Sequence, residues 1–185
     1  MKILKFKIIS STNEIAKKLA EKRKTEPWQV IAAEKQTSGY GRKKTAWFSP
    51  NGGLYFSVIL PKSKIEDLQT LTILAAFIVA KVIKENFNLE TFIKLPNDVM
   101  IMSNVKCQMS KPKKICGVLT ENVISKEVKL SIMGIGLNTN IEKFPKDLEK
   151  RATSLKIELG REVDNEKILN QIVEEIRNQL KTISE

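Results

Sequence analysis

Two strand-length apolar runs, at about 114–124 and 127–137, stand so close together that no crossover fits between them. Parallel neighbours need a connection of a dozen residues or more, so these two runs can pair only as an antiparallel hairpin. Its turn is expected at Glu121-Asn122 through Lys126, where the polar residues gather. Short strands are expected around Lys94–Met102, and Gly53 to Leu60 is a further strand closed by Pro61. Lysine alternating with apolar residues makes 3–9 a strand. It runs into Ser11-Thr12-Asn13-Glu14, a capping-box pattern opening a helix with Ile15, Leu19 and Ala20 on one face. Glu26-Pro27 breaks that helix, and Trp28 to Ala32 is the next strand. Ile65 to Phe87 reads as an amphipathic to buried helix. From Asp164 onward Ile168, Ile172, Val173, Ile176 and Leu180 recur at helical spacing. This is not the βαβ alternation of a dinucleotide-binding fold. The expected class is α+β: a mostly antiparallel mixed sheet with helices packed on it, in one domain spanning 1–185.

The chain contains no histidine. That excludes Ser-His-Asp and Cys-His catalysis, a histidine-bound metal and a histidine general base. Lysine, arginine, carboxylates, backbone amides or a hard cation must do any chemistry. Cys107 and Cys116 are too few for a disulfide framework, and without histidine they complete no zinc site. Cys116 is expected to be a small core-facing or pocket-adjacent residue and not a nucleophile. The net charge of +11 invites a nucleic-acid partner, but the lysines are scattered along the whole chain, which fits a compositional bias better. No nucleic-acid partner is expected. The longest apolar run, Leu71 to Ile83, includes Lys81 and falls short of the roughly 20 residues needed to cross a bilayer. Residues 1–10 carry no signal-peptide cleavage pattern. The expectation is a cytoplasmic protein with no membrane contact.

Four constellations could carry chemistry. The long loop at 35–52 combines Gly39 and Gly41 with Arg42, Lys43 and Lys44, interleaved with Tyr40, Trp47 and Phe48. Glycines let backbone amides approach an anion, cations neutralise phosphate, and an indole stacks on a base. A solvated basic loop would have the same composition. Lys94-Leu95-Pro96-Asn97-Asp98 presents an amide and a carboxylate beside a lysine at a strand end. That set suits a nucleophile or a magnesium ion, or equally a common turn after proline. In Lys114 to Glu121, a lysine opens a strand that carries Gly117, where a ligand can approach the backbone or a bulge can sit. Gly134-Ile135-Gly136-Leu137-Asn138 closes the next strand, without the third glycine of a dinucleotide fingerprint.

Taken in order, these motifs resemble the biotin–protein ligase family, related in fold to lipoate ligases and class II aminoacyl-tRNA synthetases. The likeness runs through Ser11-Thr12-Asn13, then Gln36 and the glycine loop ending in Trp47-Phe48-Ser49-Pro50, then Gly52 to Ser57. It continues through Lys94 to Asp98, Lys114 to Glu121, Gly134 to Asn138 and Ala152 to Leu155. The resemblance implies an ATP-dependent ligase that forms biotinyl-5′-AMP and transfers biotin to a lysine of a biotin carboxyl carrier protein. ATP and biotin would be substrates, with Mg2+. The extent of the match implies the catalytic domain, with neither the DNA-binding segment nor the small β-barrel domain of longer relatives; a homodimer is admitted.

Under the resemblance, Ser11, Thr12, Asn13 and Gln36 would bind the biotin ureido ring, with Gly39, Tyr40, Gly41 and Arg42 folding over biotin. Arg42 and Lys114 would reach the biotin carboxylate and the adenylate phosphate, Gly117 would leave room for the bicycle, and Trp47 would stack on adenine. Asp98 and Asn97 would serve magnesium, phosphate or the incoming lysine, supported by Lys94 and Asn138. The catalytic set is therefore Arg42, Lys114, Asp98 and Lys94. Three departures from the family pattern stand out. Tyr40 and Thr45 stand where loop arginines are usual, Leu95 stands where a tryptophan is usual, and the stretch between Asp98 and Lys114 is longer, with Cys107 in it. The alternatives are a lipoate or octanoate–protein ligase, which should lack the Ser-Thr-Asn and Gln-x-x-Gly pairing, and a non-catalytic biotin-binding remnant.

Overall fold

The computed structural model describes residues 2–22, 24–61, 67–102, 111–124 and 129–184. In chain order the elements are β1 (Ile3–Ile9), α1 (Thr12–Glu21), β2 (Val30–Gln36), β3 (Leu54–Ile59) and α2 (Leu68–Phe87). These are followed by β4 (Thr91–Lys94), β5 (Asp98–Ile101), β6 (Lys113–Ile124), β7 (Lys129–Leu137), α3 (Leu155–Leu159) and α4 (Asn165–Ser184). The strands form one sheet in the order β1-β2-β3-β7-β6-β5-β4. Among the described strands only β1 and β2 run parallel, joined through α1; the other neighbours are antiparallel, including the closely spaced β6 and β7. The α+β expectation with a mostly antiparallel sheet is met.

The two sheet faces are packed differently. On one, Phe56, Val58, Val118, Met133, Ile135 and Leu137 meet α2, and α4 lays Ile168, Ile172, Val173 and Ile176 over the same core. A buried hydrogen bond of 3.0 Å from Thr72 to Thr120 ties α2 to β6 within it. This sandwiched position explains why α2 is apolar on most of its surface. Asp67 caps it by accepting from Gln69 N and Thr70 N, and Asn88 ends it in the left-handed region. The expected start at Ile65 lies outside the described residues.

Among the described helices, α1 is the one that packs on the opposite face. Ala16 and Ala20, at 0% and 1% exposure, let its axis approach Ile31, Ile59, Val123 and Ile132 closely. Ile15 and Leu19 pack at the margin. The capping box does not form: Ser11 opens the helix with extended backbone, yet its side chain makes no cap bond. The free amide of Thr12 instead donates to Gln36 Oε1 at 2.8 Å, so a residue of β2 caps a helix 24 positions earlier. Glu14 turns away toward Tyr40.

Further boundaries differ from expectation. Trp28 has φ +66, which no strand can contain, and β2 therefore begins at Val30. Glu121 and Asn122 pair with Ile132 and Ser131 inside the ladder and are not the turn; residues 125–128 lie outside the described set. The 35–52 segment is not an open loop. Its first residues belong to β2, and Tyr40 bridges Ala46 across a tight tip at Arg42–Lys44.

Ala16 sets the height of α1 above the sheet, so Ala16→Leu should cost about 1–3 kcal/mol through overpacking. Urea unfolding checks this; an unchanged midpoint would contradict the close seating of α1.

Candidate active site

On the α1 face, Gly117 pairs directly with Gly136, and Gly134 lies between Ser57 and Leu119. Three positions on adjacent strands thus present backbone where side chains would stand. Two groups use that space. Asn13 at the start of α1 occupies the place of a Cβ on Gly134, its Oδ1 being 2.2 Å from that point. The indole of Trp47 lies over the other two, 2.6 Å from a Cβ on Gly136 and 3.1 Å from one on Gly117. Beside them opens a cleft of about 440 Å3, lined by Ser11, Thr12, Gln36, Tyr40 and Gly41 above the glycines.

The polar groups at this cleft form a connected set. Ser57, fully buried, has its Oγ 2.6 Å from Asn13 Oδ1 and 2.8 Å from Thr12 Oγ1. An amide oxygen only accepts, so the single Ser57 proton belongs to Asn13 and the Thr12 hydroxyl donates in turn. Asn13 Nδ2 donates to Glu121 Oε2 at 2.8 Å. Gln36 accepts from Thr12 N and donates through Nε2 to Ser49 Oγ, which donates to Trp47 O at 3.0 Å. Asn13, expected at the ureido ring, thus has both amide atoms engaged within the protein. Ser57, Ser49, Glu14, Lys17 and Glu121 belong to the same network and were absent from the sequence-derived set. Glu14, Ser49, Ser57 and Glu121 stood inside recognised motifs without a site role, and Lys17 gave no local signal.

The glycine loop folds back as a hairpin. Trp47 N donates to Gly39 O at 2.9 Å and Gly41 N to Thr45 O at 2.8 Å. Lys43 and Lys44 adopt positive φ at its tip. Gly39 sits beneath the loop, where a Cβ would stand 2.6 Å from Ser49 Oγ. At the base, Tyr40 lies between Glu14 and Glu121. Its hydrogen bond is the main cause that holds the Glu14 carboxyl below the ordinary carboxylate range. Burial alone would raise the Glu121 carboxyl, but Lys17, Asn13 and Tyr40 together bring it below that range as well. Burial and the two carboxylates push the Tyr40 phenol far above its usual value. With both carboxyls depressed, their contribution to the folded state is present above the ordinary carboxylate range and is lost only as pH falls through the lowered values.

A second, larger cleft of about 1200 Å3 continues from the first, sharing Gly41, Trp47, Asn97 and Lys114. The β4–β5 turn, with its cis Leu95-Pro96 bond, sets Lys94 opposite Asp98 in the ladder and brings Asn97 to the wall. Asp98 Oδ1 forms an ion pair of 2.6 Å with Lys114 Nζ, which also lies 4.7 Å from the Trp47 ring centre. Arg42 Nη1 reaches Asn97 Oδ1 at 3.4 Å. Among the described residues, Arg42, Lys94, Lys114 and Arg151 line this cleft against a single carboxylate, Asp98, a balance that suits a polyanion. Phe48 and Phe144, with centroids 6.0 Å apart, close its apolar side. Asn138 also lines it, with Nδ2 donating to Thr153 O at 3.0 Å. Phe144, Leu148 and Arg151 come from a stretch without strong periodicity. Only the Ala152 to Leu155 motif pointed there.

Among the described residues no cluster of three potential metal ligands exists. Asp98 alone therefore suits a magnesium ion carried mainly by nucleotide phosphates and not a protein-built cage. Cys116 is fully buried on the α2 face, where burial pushes its thiol well above the ordinary range and makes it unreactive. The other cysteine, Cys107, lies outside the described residues, as does most of the long stretch between Asp98 and Lys114.

Residues 5–138 match the model of the biotin/lipoate A/B protein ligase family. Over 171 residues the chain is 36% identical to the bifunctional ligase/repressor BirA of Bacillus subtilis, covering 90% of this chain and 50% of that protein. The chain thus spans about half the length of that curated relative. Its structure superposes on the biotin protein ligase from Aquifex aeolicus in complex with biotin and ATP with a TM-score of 0.85 and 30% identity, covering 99% of this chain and 72% of the other. The biotin protein ligase of Leishmania major in complex with biotinyl-5-AMP, at 22% identity and a TM-score of 0.77, shares the fold over 99% of this chain and 76% of its own.

Gly136→Ala places a methyl group against the indole, so Trp47 must shift while the ladder remains intact. In a Trp28→Phe background, emission and acrylamide quenching should report a more exposed Trp47 with a nearly unchanged urea midpoint. Identical spectra would contradict the close seating of the indole on Gly136.

Proposed function

The chain belongs to the biotin/lipoate A/B protein ligase family, and on that premise we propose that it joins biotin to ATP as biotinyl-5′-AMP and then biotinylates a lysine of a carrier protein. The observation that carries this reading is the junction of the two clefts. A neutral, hydrogen-bonding pocket over glycines meets a cationic pocket at Lys114, Trp47 and Asn97. A substrate with an uncharged polar ring at one end and a carboxylate at the other would place its carboxylate at that junction. Ser11, whose side chain makes no cap bond, and the remaining donor and acceptor capacity of Thr12, Asn13 and Gln36 would supply the polar contacts for the ring. The Aquifex neighbour, named for biotin and ATP, points the same way. The relatives of at least 30% identity described above offer no matching support for lipoate or octanoate.

A carboxylate is a poor acyl donor because its oxygen is a poor leaving group. Its attack on the α-phosphorus of ATP yields a mixed anhydride and expels pyrophosphate. Two anions must approach, so preorganised cations dominate the cost: Arg42, Lys114 and Lys94 would neutralise carboxylate and phosphates. Magnesium would accompany the phosphates, with Asp98 as its protein ligand. In the second half-reaction a carrier lysine attacks the acyl carbon as a neutral amine and releases AMP. Lys114 neutralises Asp98 in the ion pair described; drawing Lys114 toward the adenylate would free Asp98 to orient that amine or accept its proton. The partner would be a biotin carboxyl carrier protein. No helix among the described residues is long and apolar enough to cross a membrane, and with ATP as co-substrate we place the reaction in the cytoplasm. Residues 1–185 would act as one catalytic domain.

Biotin-dependent ATP–pyrophosphate exchange tests the assignment. Arg42→Ala and Lys114→Ala should each lower it by about 10²–10³ while leaving the urea midpoint close to wild type. Exchange at wild-type rates in both variants would remove these residues from the reaction.

The net charge of +11 should also assist encounter with an acidic carrier surface. Transfer to the carrier is expected to slow steeply as salt rises and the Debye length falls to about 10 Å at 0.1 M. Transfer to hydroxylamine should barely change. An equal salt response in both would leave the charge without a steering role.

A further inference from the structure

Tyr40 ties the glycine loop to two other elements. Its hydroxyl is 2.8 Å from Glu14 Oε1 and 2.9 Å from Glu121 Oε2, and Lys17 Nζ donates to it at 3.1 Å. Lys44 Nζ lies 3.8 Å over the ring centre and 3.6 Å from Glu14 Oε1. Lys17 Nζ is 2.7 Å from Glu121 Oε1, and Asn13 donates to the other oxygen of that carboxylate. Two carboxylates and two ammonium groups thus surround one phenol, and the charges cancel. The participating groups come from α1, β6 and both sides of the loop hairpin.

A phenol suits this junction because it both donates and accepts. Its one proton serves a carboxylate while its lone pair receives Lys17. An arginine, the residue usual at this position in the family pattern, could only donate and would set a third cation beside Lys17 and Lys44. Tyr40 is also the residue through which the loop bridges Ala46, and it forms part of the roof of the first cleft. Whatever holds the phenol therefore holds the backbone of Gly39 to Gly41 above the glycine floor.

We infer that Tyr40 is a positioning residue: its phenol, donating to one of Glu14 and Glu121 and accepting from Lys17, which itself pairs with Glu121, latches the 36–49 loop to α1 and β6, so that the roof of the first cleft is held closed by the chain's own contacts. A loop ordered in advance costs a ligand less on binding, so the latch favours affinity over the chemical step. The consequence for biotin rests on the function proposed above; the closure does not.

Limited trypsin digestion of the full chain, with neither biotin nor ATP added, reads the closure through cleavage after Arg42, Lys43 and Lys44. Tyr40→Phe keeps the ring beneath Lys44 but removes the hydroxyl contacts. Cleavage at these three sites should accelerate about tenfold or more, the effect of losing a charge-assisted hydrogen bond. Glu14→Ala, which removes one anchor and leaves Tyr40 in place, should fall between Tyr40→Phe and wild type. Equal cleavage in wild type and Tyr40→Phe would overturn the latch. In pyrophosphate exchange, Tyr40→Phe should raise KM for biotin about tenfold with kcat held within about threefold. A fall in kcat at unchanged KM would overturn the positioning role. A wild-type protein without any exchange would refute the biotin reading, and the digestion would still decide the latch.

Discussion

The pairing of Gly117 with Gly136 across β6 and β7, with Gly134 two residues further along β7, leaves a patch of sheet without Cβ atoms. The site depends on that patch, because it is where three separate segments come down onto backbone. Asn13 can reach Ser57 and Glu121 only by entering the space over Gly134. Trp47 can lie flat only over Gly136 and Gly117. The first cleft is the room left between them. Elsewhere on the same face the sheet carries Ile31, Ile59 and Ile132, and there α1 needs Ala16 and Ala20 to come near. Small residues thus serve opposite surfaces: alanines on the helix where the sheet is bulky, glycines on the sheet where the helix presents polar side chains.

Burying polar groups at such a junction is costly unless each finds a partner. Ser57, Thr12 and Asn13 are all buried, yet all three are hydrogen-bonded to one another or to Gln36 and Glu121. This satisfaction fixes the entry of α1, the end of β2 and the start of the glycine loop relative to one another, since none can move without orphaning a neighbour. Among the described residues two buried side-chain atoms lack a hydrogen bond, the indole nitrogen of Trp47 and Asp98 Oδ1, and the second is met by the Lys114 ammonium. The indole lies over the part of the floor shared by both clefts.

Charge is distributed as the chemistry of a histidine-free site requires. Near Tyr40 two carboxylates and two lysines cancel, which suits a structural latch. In the second cleft cations exceed carboxylates, and the one carboxylate is held by Lys114. Under the proposed reaction, bringing a carboxylate to a triphosphate needs fixed positive charge, and among the described residues the lysines and arginines that outnumber Asp98 in this cleft would supply it.

Much of this was legible in the sequence. The short spacing between 114–124 and 127–137 determined an antiparallel pair, and the order of apolar runs determined the α+β class. The glycine loop, the Lys94 to Asp98 turn, Lys114 and Gly117 were recognisable as site material, and the structure brings them to one pair of clefts. The five-residue α3 was missed although Ser154 and Gly160 mark its ends, because one turn of helix has no periodicity to detect. Other features left no local trace at all. The parallel pairing of β1 with β2, the capping of α1 by Gln36 and the engagement of both Asn13 amide atoms were decided in three dimensions. So were the seating of Trp47 over two glycines and the latch at Tyr40. The physical reason is distance along the chain. Strand, helix and turn follow from neighbours a few residues apart, whereas Thr12 and Gln36 are 24 positions apart and Asn13 and Glu121 are 108. Which of several eligible acceptors a buried donor takes is settled only when packing has brought one within reach.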